Sequence, residues 1–245
     1  MQAEVAAVAT VVTANPYGLG PLWNTGGLIT QVNLCVLGFM SLYSWFIIFT
    51  KLWDQRNMMK SAEIVEKNFW TAPSVKDGIE RLKKGDEYRY IVEDGMRAAS
   101  HHEGRLTDRI DLHEWVTMAL QRATDAVNNR QGTGLAFLAT VGSTAPFIGL
   151  FGTVMGILRA LLDIGTSGQA SIDRVAGPVG EALIMTAIGL AVAVPAVLGY
   201  NWLLSRNKVI QASVQNFASD LHAYMVSGAR VDTGAVAAAT PAVRK

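Results

Sequence analysis

Between Val175 and Ser205 the chain carries one charged residue, Glu181. A carboxylate inside so long an apolar run is costly to bury in hydrocarbon, which makes it a candidate for binding or relaying a proton or cation. A second reading stands beside it: if a helix starts at Pro178, Glu181 falls in the first turn, where the positive end of the helix dipole favours an acid. Depth separates the two. A start at Pro178 puts Glu181 about 5 Å along the axis, and a start near Ser171 puts it about 15 Å along, close to the middle of a bilayer. Two hydroxyls accompany the acid: Thr153, within Gly152-Thr153-Val154-Met155-Gly156, and Thr186. A buried threonine ordinarily bonds a carbonyl one turn back, so each carries a structural reading as well as one in an ion path. On an ideal helix Glu181 and Thr186 stand about 140° apart and share no narrow face unless the helix bends. Pro178 and Pro195 are the candidate bends, with Pro146 in the preceding apolar run.

Other chemistries lack their residues. There is no G-x-x-x-x-G-K-[ST] run for a nucleotide phosphate and no evident Ser-His-Asp arrangement. His101-His102-Glu103 departs from H-E-x-x-H spacing, and His113 and His222 have no evident sequence partner, so no metal or other cofactor is expected. Cys35 is the single cysteine and closes no disulfide within the chain. The net charge of +1 argues against a nucleic-acid partner. An intramembrane acid without a nucleotide site points to use of an ion gradient rather than to an enzyme.

The elements that must position these residues follow from where charge is missing. Charged residues make up 17% of the 245 positions, below the roughly 25% of soluble domains, and half the chain is hydrophobic. Charge is absent from Val5–Thr50 and Gln131–Leu158, and Glu181 alone interrupts Val175–Ser205. Each stretch holds the roughly 20 apolar residues a bilayer crossing needs, so the expected fold is an all-α integral membrane protein with three transmembrane helices. Lys and Arg are retained on the cytoplasmic side. Residues 51–130 hold 14 of the 21, the tail from Arg206 holds five, and residues 1–27 hold none. The expected order is an external segment 1–27, transmembrane helix 28–50, a cytoplasmic helical domain 51–130, transmembrane helix 131–162, a short external loop 163–177, transmembrane helix 178–205, a cytoplasmic helix 206–228 and a disordered tail 229–245. Val5–Val12 is apolar but lacks the basic flank of a signal peptide; whether it is processed stays open.

Residues 51–130 carry 14 acids against their 14 bases, the balance of a solvated helical domain packing between subunits. Helix is expected from Lys51 to Trp70, then over Ser74–Lys84 and Asp86–Ala99 with Gly85 as the break. Val116, Leu120, Ala123 and Val127 share one helical face, on a helix expected to enter the second span uninterrupted. Ile210, Val214, Phe217 and Leu221 repeat that spacing beyond the third span, up to Gly228. Gly142, Ala145, Gly149, Gly152 and Gly156 form a small-residue stripe on the second span, and Ala182, Thr186, Gly189, Ala193 and Ala196 form one on the third. Small residues let backbones approach closely, the packing drive left to helices in lipid. The first span, with Leu34, Phe39, Tyr43, Trp45, Phe46 and Phe49, reads as a bulky lipid-facing helix.

The run from Phe137 to Ile157, containing Thr144-Ala145-Pro146-Phe147-Ile148-Gly149-Leu150-Phe151-Gly152-Thr153-Val154-Met155-Gly156, resembles the second-helix signature of the MotA/TolQ/ExbB proton-channel family. Ala176-Gly177-Pro178-Val179-Gly180-Glu181-Ala182-Leu183-Ile184-Met185-Thr186-Ala187-Ile188-Gly189-Leu190, with Pro195-Ala196-Val197 and Tyr200-Asn201, resembles its third. Within the family the chain is most similar to the ExbB branch, with TolQ next; MotA proteins are longer and have four spans. The resemblance implies a homopentameric ring in the inner membrane of a Gram-negative bacterium, N-terminus periplasmic and C-terminus cytoplasmic, with the second and third helices around a central pore. It implies protons as the coupling ion, an ExbD-like single-span partner in the pore and a TonB-like energy transducer. Glu181 corresponds to the family's pore glutamate, and Thr153 and Thr186 to its pore threonines. The small-residue stripes, including Gly142, Ala145, Gly149, Gly152, Gly156, Ala182, Gly189 and Ala193, would then line the pore or meet neighbouring subunits. Met155 replaces a usual Trp, and Val179-Gly180 the commoner Ile-Ala. A TolQ-like role in envelope integrity and division, and a passive membrane scaffold, are the alternatives.

Overall fold

A computed structural model describes Trp23 and residues 27–100, 111–167 and 172–227. The sequence readings for residues 1–22, for His101-His102-Glu103, for the middle of the 163–177 loop and for Gly228 and the tail lie outside the described residues. Every element within them is helical. Helix α1 runs Gly27–Ile64 and passes into a π-helical turn, Val65–Phe69. Helix α2, Val75–Glu80, is capped by Ser74, whose hydroxyl accepts from the Asp77 amide at 3.2 Å. Helix α3 covers Glu87–Ser100, α4 Leu112–Gly132, α5 Leu135–Ser167 and α6 Ile172–Ser227. Three helical runs, Gly27–Phe69, Leu112–Thr166 and Ala176–Ser227, are long and apolar enough to cross a membrane.

Two boundaries differ from the sequence expectation. The helix carrying Val116 to Val127 does not enter the second span uninterrupted. It stops at Gly132, and Gly134 turns the chain with φ +87°, a left-handed value only glycine adopts cheaply. The third helix begins at Ile172 rather than Pro178, and Pro178 and Pro195 both lie inside it, as Pro146 lies inside α5. A proline forfeits one helical hydrogen bond, a loss that long membrane helices tolerate when neighbouring groups re-satisfy the carbonyl.

The chain divides into two compact units. One comprises the described residues through Ile48 with Gly134–Asn201; the other comprises Phe49–Thr133 with the described residues from Trp202 onward. In the first, Leu37 and Met40 of α1 pack with Val141 and Ala145 of α5 and with Met185, Val192, Ala193 and Ala196 of α6. Many of its large side chains face out: Phe39, Leu42 and Phe46 on α1, Phe147 and Leu150 on α5, and Leu183 and Leu198 on α6 are all exposed. Bulky apolar residues on the outer face are suited to lipid.

The second unit is built the other way round. The α4 face Val116, Leu120, Ala123 and Val127 and the α6 face Ile210, Val214, Phe217 and Leu221 are buried around Tyr88, Ile91 and Val92 of α3. Burial pushes the Tyr88 phenol above its ordinary pKa, an effect its hydrogen bond with Ser213 at 3.1 Å partly offsets. A polar cross-brace crosses this unit. Gln55, fully buried, donates through Nε2 to the Leu203 carbonyl at 2.9 Å and to Asn207 Oδ1 at 2.7 Å, and its Oε1 accepts from Arg206 Nε at 3.1 Å. Asn207 Nδ2 donates in turn to the Gln131 carbonyl at 3.1 Å. Each of these two buried amides therefore has the partner that its desolvation requires.

A candidate proton site between α1, α5 and α6

The site is positioned by a contact between two helix backbones. A Cβ added to Gly189 of α6 would lie 2.7 Å from the Ala145 carbonyl oxygen and 3.0 Å from the Gly149 Cα. Further along the same seam Gly152 lies against Met185 and Gly156 against Ala182, where an added Cβ would come within 3.2 Å of its neighbour in each case. The two small-residue stripes are thus mated to each other inside one protomer, where the sequence reading set them against a pore or a neighbouring subunit. Sequence shows that such faces demand a close partner, and consecutive helices of one chain supply it.

Beside this seam lies a cleft of about 330 Å³. Thr30 of α1 lines it, with Gly152, Gly156, Arg159 and Asp163 of α5 and with Pro178, Glu181 and Met185 of α6. The glycines leave the space that the carboxylate looks into. Glu181 is half-buried and stands nine residues inside α6, about 14 Å along its axis. That depth removes the first-turn reading, because the helix dipole acts on an acid only within the first turn. Two carboxylates and one guanidinium share the cleft, so its formal charge is negative when both acids are ionised. Arg159 also reaches over the start of α1, where a Cβ on Gly27 would sit 2.6 Å from its Nη1. A carboxylate facing a space of this size, with a guanidinium near it, can take up and release a proton or bind a small cation.

The other residues singled out in the sequence are placed differently. Thr153 is 7% exposed, and its hydroxyl donates to the Leu150 carbonyl at 2.6 Å. Thr186 is half-buried, with its Cα against Gly149. Neither lines the Glu181 cleft. Thr30 and Asp163 belong to it and were not legible as members; Thr30 is one of several polar residues in the first span, with Gln31, Asn33, Ser41 and Ser44, and nothing in sequence sets it apart. His113 and His222, without an evident partner in sequence, face each other with ring centroids 4.5 Å apart, and Thr117 Oγ1 lies 3.0 Å from His222 Nε2. Among the described residues no group of three or more His, Cys, Asp or Glu side chains is placed to hold a metal ion.

Residues 85–216, which include the cleft residues of α5 and α6, match the model of the MotA/TolQ/ExbB proton channel family. The Biopolymer transport protein ExbB of Xanthomonas campestris pv. campestris (strain B100) is 40% identical over 212 residues, 83% of this chain and 84% of that protein. The Biopolymer transport protein ExbB of Neisseria meningitidis serogroup A is 34% identical over 193 residues, 77% of this chain and 88% of its own. The Tol-Pal system protein TolQ of Pseudomonas aeruginosa is 32% identical over 209 residues, 83% of this chain and 90% of its own.

Proposed function

The chain belongs to the MotA/TolQ/ExbB proton channel family, and from that premise we propose that it is the ExbB-like subunit of an inner-membrane motor that passes proton-motive force to a TonB-like transducer. One observation carries the proposal: Glu181 lies nine residues inside α6, within the apolar run that starts at Ala176, and lines a cleft large enough for water. In this reading five copies form a ring around an ExbD-like single-span helix, with N-termini periplasmic and C-termini cytoplasmic. Glu181 responds electrostatically as an acid on the partner helix gains or loses a proton. Thr186 and Thr153 supply hydroxyls to that exchange, Thr153 through the acceptor lone pairs its bond to Leu150 leaves available. Each proton brings about 2.3 kcal/mol per 100 mV. Alternate protonation favours different pairings of the partner helix around the ring, which produces rotation or a stepwise shift.

The resemblance to ExbB proteins at up to 40% identity supports the uptake role over the TolQ-like one, for which the 32% identity to a TolQ protein is the specific support. Co-purification of the partners from the native membrane separates these two. The function itself is tested by Glu181→Ala and Glu181→Gln, which are expected to abolish TonB-dependent uptake while the oligomer stays intact. Normal uptake by stably expressed Glu181→Ala protein would reject the proposal and favour a passive scaffold.

A further inference from the structure

The first helix, bulky on its outer side, carries a polar group on its inner one. Asn33 is 7% exposed, and its Nδ2 has no hydrogen-bond partner among the described residues. Its amide abuts Gly152, a residue that lines the cleft: a Cβ added to Gly152 would come within 3.1 Å of Asn33 Nδ2 and equally close to Met185 Cε. Thr30, one turn earlier on α1, already lines the cleft, and Glu181 is one turn before Met185 on α6. A buried amide donor left unsatisfied is costly, and in native structures such groups are met by ordered water where the space is polar and large enough. The cleft has room for on the order of ten waters at about 30 Å³ each, and Thr30, Arg159, Asp163 and Glu181 offer the polar partners that hold water in place.

We propose that a chain of water enters each protomer between α1 and α5, past Thr30 and Arg159, and that Asn33 is the positioning residue that orders this water beside Glu181. The inference rests on the reading of Glu181 as the motor's intramembrane acid and adds to it that Glu181 itself takes the proton before the acid on the partner helix does. Its consequence is a route to Glu181 that runs through the protomer, separate from the ring's central pore. Only O–H bonds change along it: hydronium gives its proton to the Glu181 carboxylate and leaves as water, and the return step restores the carboxylate. Bulky lipid-facing residues on the outer face of α1 keep this file from the acyl chains, since Leu28, Leu42 and Phe46 are exposed on the side away from Asn33 and Leu37.

Two measurements on the full complex, reconstituted with its single-span partner, test it. In a Cys35→Ser background, Asn33→Cys and Thr30→Cys are treated with a membrane-impermeant thiol reagent added from the periplasmic side. Both are expected to react, in Glu181→Gln protein as well, so that this arm reads the water file independently of the Glu181 role. In the second, partner-dependent proton flux through Asn33→Leu is expected to fall roughly five- to tenfold, about the worth of one hydrogen bond to an ordered group. Asn33→Ser, which keeps a donor, restores most of it. Protection of the Asn33→Cys thiol from the reagent overturns the proposal. So does unchanged flux in Asn33→Leu, or an equal loss in Asn33→Leu and Asn33→Ser, which marks a packing role only. Unchanged flux in Glu181→Gln instead overturns the reading of the acid.

Discussion

Replacing Gly189 by alanine tests the contact on which the site is built. The added methyl would lie 2.7 Å from the Ala145 carbonyl oxygen and 3.0 Å from the Gly149 Cα, and both obstacles are backbone. No rotamer change relieves them, so α5 and α6 must separate by about 0.7 Å, the gap between 2.7 Å and the 3.4 Å at which ordinary contact begins. Overpacking of this kind costs about 1–3 kcal/mol. Gly149→Ala meets the Met185 carbonyl oxygen at 2.8 Å and should cost about the same. The double variant should cost less than the sum, because one separation relieves both clashes. Gly95→Ala, whose methyl meets the mobile tip of Leu120 at 2.7 Å, should cost less. At Gly38 no atom lies within 4 Å, and alanine there should stabilise the helix by about 0.5–1 kcal/mol. The assay is unfolding of the purified protein in detergent micelles by titrated denaturing surfactant, followed by helical circular dichroism. Wild-type stability in Gly189→Ala, or equal losses in Gly189→Ala and Gly38→Ala, would refute the close approach of α5 and α6.

Two further outcomes follow from the second unit. Gln55→Leu leaves Asn207 Oδ1 and the Leu203 carbonyl without their donor and Arg206 Nε without this acceptor, which should cost about 1–3 kcal/mol in the same titration; a neutral result would mean the cross-brace adds no stability. Tyr88 has a raised folded-state pKa, so the stability it contributes is fully present below the phenol's unfolded pKa of about 10 and is lost as pH rises through the folded value. Thermal melts from pH 8 to 12 should therefore show a steeper alkaline loss in the wild type than in Tyr88→Phe, and parallel curves would contradict the burial of a neutral phenol.

How much of this was legible in sequence varies with the physical signal. The buried faces of α4 and α6 in the second unit, Val116 to Val127 and Ile210 to Leu221, follow from helical periodicity because one side of each helix meets a core and the other is polar. In the spans both sides are apolar, and periodicity marks only where small residues collect. It says that Gly149 and Gly189 need close partners without saying whether the partner is the same chain or another copy. Pro178 reads as a helix start by rules drawn from soluble helices, yet the backbone is helical from Ile172, and this shift is what moves Glu181 from the first turn to depth. Glycine is frequent in membrane helices, so Gly134 gave no distinct signal for the turn it makes. The facing of His113 and His222 depends on tertiary packing of α4 on α6, for which no local pattern exists.

The central claim is that the proton acts at Glu181, and its most direct test is proton flux into vesicles holding the purified complex, measured with a pH-sensitive dye under an imposed membrane potential. The account predicts that Glu181→Gln abolishes the partner-dependent flux while Glu181→Asp, which keeps a carboxylate on a shorter stem, retains a measurable part of it. Flux through Glu181→Gln equal to that of the wild type, in a complex of unchanged composition, would contradict it.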